Sequence, residues 1–295
     1  MTLIQKYIAS NDRYLCSVIN NSDIDKDIVI LVHGLAETKA EKEFIFTKIS
    51  REVSESLAYT VVQFDLAGHG DSDGEIKQYN LNDWISDTIN VIKSLDNFKN
   101  RKIHLIGTGI GNLIISCVAN QLRSTEIKIY SQIFISPKNN FSKIKSFFED
   151  TDSFDELKEE LDTEIFLNMT YTNEQLSDSM MLFEPSPIFL NKGLHDCLIQ
   201  LGSFSYDNIV TEIKKELIED ISEWSLLENN FDSDTKVLII EGTENSWFNY
   251  NSEIHPNITV EKIIGDNYLL FNNPKRQIDI VEKILNFYNE NRVFI

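Results

Sequence analysis

Apolar and polar positions follow two rhythms along the chain. Short runs rich in β-branched residues recur at 27–32 (DIVILV), 60–64 (TVVQF), 102–106 (KIHLI), 130–135 (YSQIFI), 236–240 (KVLII) and 258–263 (ITVEKI). Runs this continuous predict strands buried on both faces. Between them, 41–57, 81–95, 111–122 and 275–289 place apolar residues three or four apart, as helices packed on a sheet do. Ahead of the first run, 4–8 and 13–19 predict an antiparallel opening pair. The alternation as a whole predicts an α/β fold with a doubly wound, mostly parallel sheet.

From about 141 to 231 the alternation stops. Segments 153–166 (SFDELKEELDTEIF) and 208–224 (NIVTEIKKELIEDISEW) have amphipathic helical spacing, and Pro185 and Pro187 break the pattern between them. The division expected is a core of 1–140 and 232–295 with a helical cap inserted at 141–231. In that cap Met180, Met181, Leu182 and Phe183 form an apolar run suited to helix packing or to a greasy ligand. Glu156, Glu159, Glu160 and Asp162 crowd one helix, so a protein partner would be expected to dock there with a basic surface.

Charge narrows the partners. The 295 residues carry 27 Lys plus Arg against 47 Asp plus Glu, a net charge of −20. That balance excludes nucleic acid, which is held mainly by cations on phosphate, and an anionic membrane surface. Nothing at the N-terminus reads as a signal peptide, and no apolar run approaches a membrane span. Cys16, Cys117 and Cys197 are scattered without CxxC spacing, so neither a disulfide framework nor a metal site is expected. The expectation is a cytoplasmic protein without metal or cofactor.

Three motifs fall at the C-terminal ends of successive strands, where open α/β sheets place their sites. They are His33-Gly34-Leu35, the segment 64–74 (FDLAGHGDSDG) and Gly107-Thr108-Gly109-Ile110-Gly111. Alone, any one of them is a tight turn. Together they resemble the α/β-hydrolase superfamily, and FDLAGHGDSDG is similar to its serine aminopeptidase, monoglyceride lipase and feruloyl esterase branch. The resemblance covers about 27–135 and 236–295.

It implies a nucleophilic serine at the centre of a GxSxG elbow, and the residue there is Gly109. It implies an acid in the segment 242–248 (GTENSWF), where Asn245 stands at the matching place and Glu244 beside it. It implies a histidine after the last strand, where Tyr268 stands, or Asn267 with a loop one residue shorter. His255 comes too early for that role. With all three positions replaced, no catalytic residue of the usual kind is expected, because no group takes the proton from a nucleophile. Glycine at the elbow also relieves backbone strain once attack is not required.

What the resemblance leaves intact is the pair of backbone amides that forms an oxyanion hole, here the N–H groups of Leu35 and Ile110. The candidate ligand-binding residues are His33, Gly34, Leu35, Thr108, Gly109, Ile110, Glu244, Asn267 and Tyr268. Trp247, Phe248 and Tyr250 line the pocket mouth or pack in the core. The expected function is a catalytically degenerate hydrolase that binds a small acyl or carboxylate ligand or a protein partner. The alternative is an enzyme of altered mechanism, an acyl transferase, lyase or isomerase, with Tyr268, Glu244 or Thr108 moving protons. His33, Asp65 and His69 are expected to fix loops, Cys117 to act as a small buried hydrophobe, and Asp71, Asp73 and Glu75 to be loop carboxylates and not a calcium site.

Overall fold

A computed structural model describes residues 2–21, 25–35, 37–137, 234–244 and 257–291, with Asn21, Lys77, Asp266, Tyr268 and Leu269 described by their backbone only. The cap at 141–231, Asn245, the 247–250 aromatics and His255 lie outside the described residues.

The strands are β1 (Thr2–Ser10), β2 (Arg13–Asn21), β3 (Ile28–Val32), β4 (Thr60–Phe64), β5 (Ile103–Thr108), β6 (Ile129–Ile135), β7 (Lys236–Glu244) and β8 (Ile258–Asp266). The helices are α1 (Ile45–Leu57), α2 (Leu81–Lys93), α3 (Ile110–Leu122) and α4 (Pro274–Glu290). One eight-stranded sheet runs β1-β2-β4-β3-β5-β6-β7-β8. β1 and β2 pair antiparallel, β2 meets β4 antiparallel, and every pair from β4 to β8 is parallel.

Strand alternation divides the core in two. Ile28, Ile30 and Val32 of β3 face a cluster with Trp84 of α2 and Leu113 of α3. Val29 and Leu31 face the other side, against Phe46 and Ile49 of α1 and Ile280 and Ile284 of α4. Period-two side chains on a strand covered on both faces thus produce the doubly wound fold.

Most boundaries shift by a few residues, and two of the shifts shape the site. Helix α1 begins at Ile45, not at residue 41, because Glu41, Glu43 and Phe44 take positive φ around a 3-10 turn at Lys42–Phe44. Strand β5 runs through Gly107 and Thr108, leaving Gly109 alone between strand and helix.

Chain order places the site. From β3 the chain winds through α1 on one face to β4, then crosses by α2 on the other face to β5, which is β3's second neighbour. The loops after β3 and β5 therefore diverge to opposite faces and open a crevice at the C-terminal ends of the two strands. A topological switch point of this kind is where open α/β sheets bind ligands.

Candidate functional site

The Gly107–Gly111 turn forms one wall of the crevice. Gly109 is the N-cap of α3 with φ 49° and ψ −125°, a combination that other residues adopt only under strain. Its neighbours are glycines for a different reason. A Cβ on Gly107 would lie 2.6 Å from the Gly111 carbonyl oxygen, and one on Gly111 only 2.0 Å from that of Val32. Both keep α3 pressed onto β3 and β5. Ile110 and Gly111 then begin the helix with their N–H groups directed outward from its end, as first-turn amides are. Among the described residues the Ile110 and Leu35 amides have no hydrogen-bond acceptor.

The loop after β3 forms the other wall. His33 is fully buried, accepts the Leu66 N–H at Nε2 (3.0 Å), and its Nδ1 lies 2.7 Å from the Gly34 carbonyl oxygen. Burial, helped by the Lys39 charge, holds its pKa down at about 4, so it is neutral at pH 7. His69 contacts the Ala67 carbonyl through Nδ1 (3.1 Å) and packs edge-on against His33 and Trp84; burial pushes its pKa down to about 3. Both histidines tie loops together, as expected. Asp65 does the same, accepting the Lys39 N–H and ammonium, each at 2.6 Å, and the Asp71 N–H at 2.9 Å. Burial opposes the Lys39 charge, but the bonds to Asp65 and Asp71 hold its pKa above the ordinary value. Cys16, Asp65 and Asp71 bring potential metal donors within 4.8 Å of one another, and the Lys39 ammonium already supplies the cation there.

A clasp across the crevice lies outside what the periodicity predicts. The buried carboxylate of Glu41 accepts the Gly34 N–H (2.8 Å) and the Thr108 hydroxyl (2.5 Å) through one oxygen, and the Lys42 N–H (3.2 Å) through the other. It joins the loop carrying the Leu35 amide to the elbow carrying the Ile110 amide. The Thr108 hydroxyl is thereby committed as a donor to Glu41. Glu37 and Lys42 lie beside Glu41, with Lys42 Nζ 3.9 Å from a Glu37 oxygen. Burial raises the Glu37 pKa well above the carboxylate range, reinforced by Glu41, and burial lowers that of Lys42. The signal available was a loop after the HG motif with five charges in seven residues, Glu37, Lys39, Glu41, Lys42 and Glu43. Periodicity absorbed Glu41 into the following helix.

The structure places the remaining candidates as follows. Asn267 is buried at the end of β8, its Oδ1 accepting the Gly242 N–H at 2.8 Å, while its Nδ2 has no partner among the described residues. Its carbonyl accepts the Ser136 hydroxyl at 3.1 Å, which ties the loop after β6 to the same place. Glu244 is exposed at the end of β7, paired in register with Asp266. Tyr268 lies in a 3-10 turn at Asn267–Asn272. The Cys117 thiol is half-buried with its pKa raised to about 11 by desolvation, so it is not a reactive thiolate at pH 7. No helix among the described residues is long and apolar enough to cross a membrane.

A surface groove of about 530 Å³ lies between β8 and α4, at the far edge of the sheet from this crevice. Its Lys262, Lys275, Arg276 and Lys283 are offset by Asp279 and Glu282 in the groove and by Glu241 and Glu261 beside it. It offers no net charge to a ligand.

Comparison with known proteins agrees with this fold. A search of curated proteins gave no match. Among solved structures, the chain is similar to alpha/beta hydrolase domain-containing protein 10 from mouse, with TM-score 0.63 and 13% identity over 98% of this chain and 100% of that one. It is similar to Est1E from Butyrivibrio proteoclasticus, solved with ferulic acid, with TM-score 0.60 and 16% identity over 97% and 98%. It is also similar to E-2-(acetamidomethylene)succinate hydrolase, with TM-score 0.60 and 15% identity over 98% and 100%. Identities this low speak for the fold alone. The model of the alpha/beta hydrolase fold matches residues 27–251, which spans the strands, the elbow and the HG loop that frame the crevice. By its sheet order, its switch-point crevice and this match, the chain belongs to the α/β-hydrolase fold family.

Proposed function

We propose that the protein is a catalytically degenerate α/β hydrolase that binds the carbonyl group of a small acyl compound in the crevice between β3 and β5. Gly109 occupies the elbow where the family's serine would stand, and Asn245 and Tyr268 stand for its acid and base. The observation that carries this reading is the elbow itself, a helix N-cap at φ 49° and ψ −125° with no side chain and with the Ile110 amide lacking an acceptor among the described residues. The backbone geometry suited to presenting a nucleophile is kept while the nucleophile is absent. Backbone amides at the ends of β3 and β5 would serve any carbonyl oxygen, because they need no side chain to donate.

The charges beside the amides favour a neutral ligand. Burial, reinforced by the neighbouring Glu41 carboxylate, already raises the pKa of Glu37 well above the carboxylate range, so this place resists a further negative charge. A ligand carboxylate would meet like charge in a poorly solvated place, whereas an ester, thioester, amide or ketone would not. The ligand is therefore read as a neutral acyl compound in preference to a free acid. The binding of ferulic acid by Est1E is a precedent for aromatic acyl groups in this fold, not evidence for one here.

The test is loss and restoration of chemistry. A fluorophosphonate is expected to leave the protein unlabelled, and p-nitrophenyl esters are expected to be hydrolysed no faster than in buffer. The triple variant Gly109→Ser, Asn245→Asp, Tyr268→His is expected to gain ester hydrolysis. Labelling of the wild-type chain would overturn the reading.

A further inference from the structure

One group beside the clasp is left over once its hydrogen bonds are accounted for. Glu41 cannot readily serve as a base, because its oxygens already take two N–H groups and a hydroxyl. His33 and His69 are buried and engaged with backbone. Glu37 differs from all three. The turn closed by its N–H on the Gly34 carbonyl oxygen (3.3 Å) sets it two residues after the Leu35 amide. Its carboxylate, 18% exposed, faces the Lys42 ammonium, 13% exposed, at 3.9 Å and takes no hydrogen bond from another described residue.

We propose that Glu37, paired with Lys42, is a general base that removes a proton from the carbon next to a carbonyl held by the Leu35 and Ile110 amides, so that the ligand class is an enolisable ketone, ester or thioester. This rests on the carbonyl-binding reading above. The Glu37 carboxylate takes the proton, the C–H electron pair becomes the carbon–carbon double bond of an enolate, and the carbonyl π pair moves onto the oxygen held by the two amides. Return of the proton to the same carbon completes an exchange; return to a conjugated carbon completes an isomerisation. No oxidant, metal or leaving group is required. The pair is suited to this because burial brings the proton affinities of carboxylate and ammonium toward one another, and a base with affinity near the working pH is the most effective. Glu41 and Lys42 are the charged groups that face Glu37, the first making it more basic and the second less.

The experiment follows 2-tetralone in D₂O by proton NMR while the Leu35 and Ile110 amides are watched in ¹⁵N-labelled protein. The wild-type chain is expected to shift both amides and to exchange the ketone's α-protons faster than buffer. Glu37→Gln is expected to keep the amide shifts and lose the acceleration roughly a hundredfold, the scale of one general base. Lys42→Met is expected to raise the pH at which exchange reaches half its maximum. Amide shifts without exchange in the wild type would overturn Glu37 as a base and leave the carbonyl site standing. Absence of both would overturn the two readings together. Equal exchange in Glu37→Gln, with its amide spectrum intact, would assign the acceleration to another group.

Discussion

The two ends of the central strands hold the same kinds of side chain put to opposite ends. At the N-terminal end, His104 of β5 lies with Nδ1 2.7 Å from the Ser131 hydroxyl and Nε2 3.3 Å from Asp27, a serine, histidine and aspartate in hydrogen-bonded series. Yet Ser131 and His104 are buried, and the imidazole is stacked on Tyr59 and flanked edge-on by Tyr130 and Tyr288. At the C-terminal end are a crevice and two amides without acceptors among the described residues, and the central position is glycine. The constellation of a triad is thus present where no substrate reaches it, while the crevice at the other end has Gly109 at the head of its helix. Hydrogen-bonded residues make a catalytic site only where the topology leaves room for a reacting atom.

The largest effect that sharpens this contrast concerns how the crevice is built. Gly111→Ala places a methyl group 2.0 Å from the Val32 carbonyl oxygen, backbone against backbone, so about 3 kcal/mol or more of stability is expected to be lost on denaturant unfolding. A loss below about 1 kcal/mol would mean that α3 is not pressed onto β3 as described.

Acid should expose the buried histidines at both ends. His33, His69 and His104 all have folded pKa values below the ordinary 6.5, desolvation being the main cause. Below pH 6.5 the unfolded chain takes up protons that the folded chain refuses, so stability present above 6.5 is lost as pH falls toward 4. For His33, with a folded value of about 4, the loss is on the order of 3 kcal/mol. The difference between wild type and His33→Gln isolates it, because the carboxylates are common to both. The variant is expected to be less stable at pH 7 and to lose less between pH 6.5 and 4.5; parallel curves would show that His33 does not titrate this way.

A smaller effect separates the elbow from the glycines that flank it. Gly109→Ala keeps the turn but forces a side chain to φ 49° and ψ −125°, at a cost of about 1–3 kcal/mol. It is expected to cost less than Gly111→Ala, since strain at one residue can be borne and backbone overlap cannot. The reverse order would contradict the separate reasons given for the two glycines.

The smallest is at the clasp. Thr108→Val removes one donor from Glu41 and leaves the Gly34 and Lys42 N–H groups in place, so about 1–2 kcal/mol is expected. Thr108→Ser should restore it. A neutral effect in Thr108→Val would show that the hydroxyl does not hold the loop to the elbow.

The architecture was legible in the sequence because a doubly wound sheet imposes strong patterns. Runs such as IVILV in β3 are apolar on both faces, and α2 opens with Asn80 and Asp83 capping each other's backbone N–H groups. The crevice was legible too, since glycines at strand ends mark close approaches that no other residue permits. Glu41 was not legible, because its role depends on Thr108, which lies 67 residues away, and on a positive φ that composition does not reveal. Glu37 was hidden for a related reason: a loop carboxylate reads as solvated until packing shows it to be largely covered.

The central claim is that the crevice holds a carbonyl oxygen on two amides and does not attack it. The most direct measurement is a titration of ¹⁵N-labelled protein with a neutral ester, methyl ferulate, and its free acid, followed at the Leu35 and Ile110 amide resonances and by intact mass. The account predicts that the ester shifts both amides together to saturation, that the acid binds more weakly, and that the protein's mass stays unchanged. Shifts absent from both amides, or a mass gain equal to the acyl group, would contradict it.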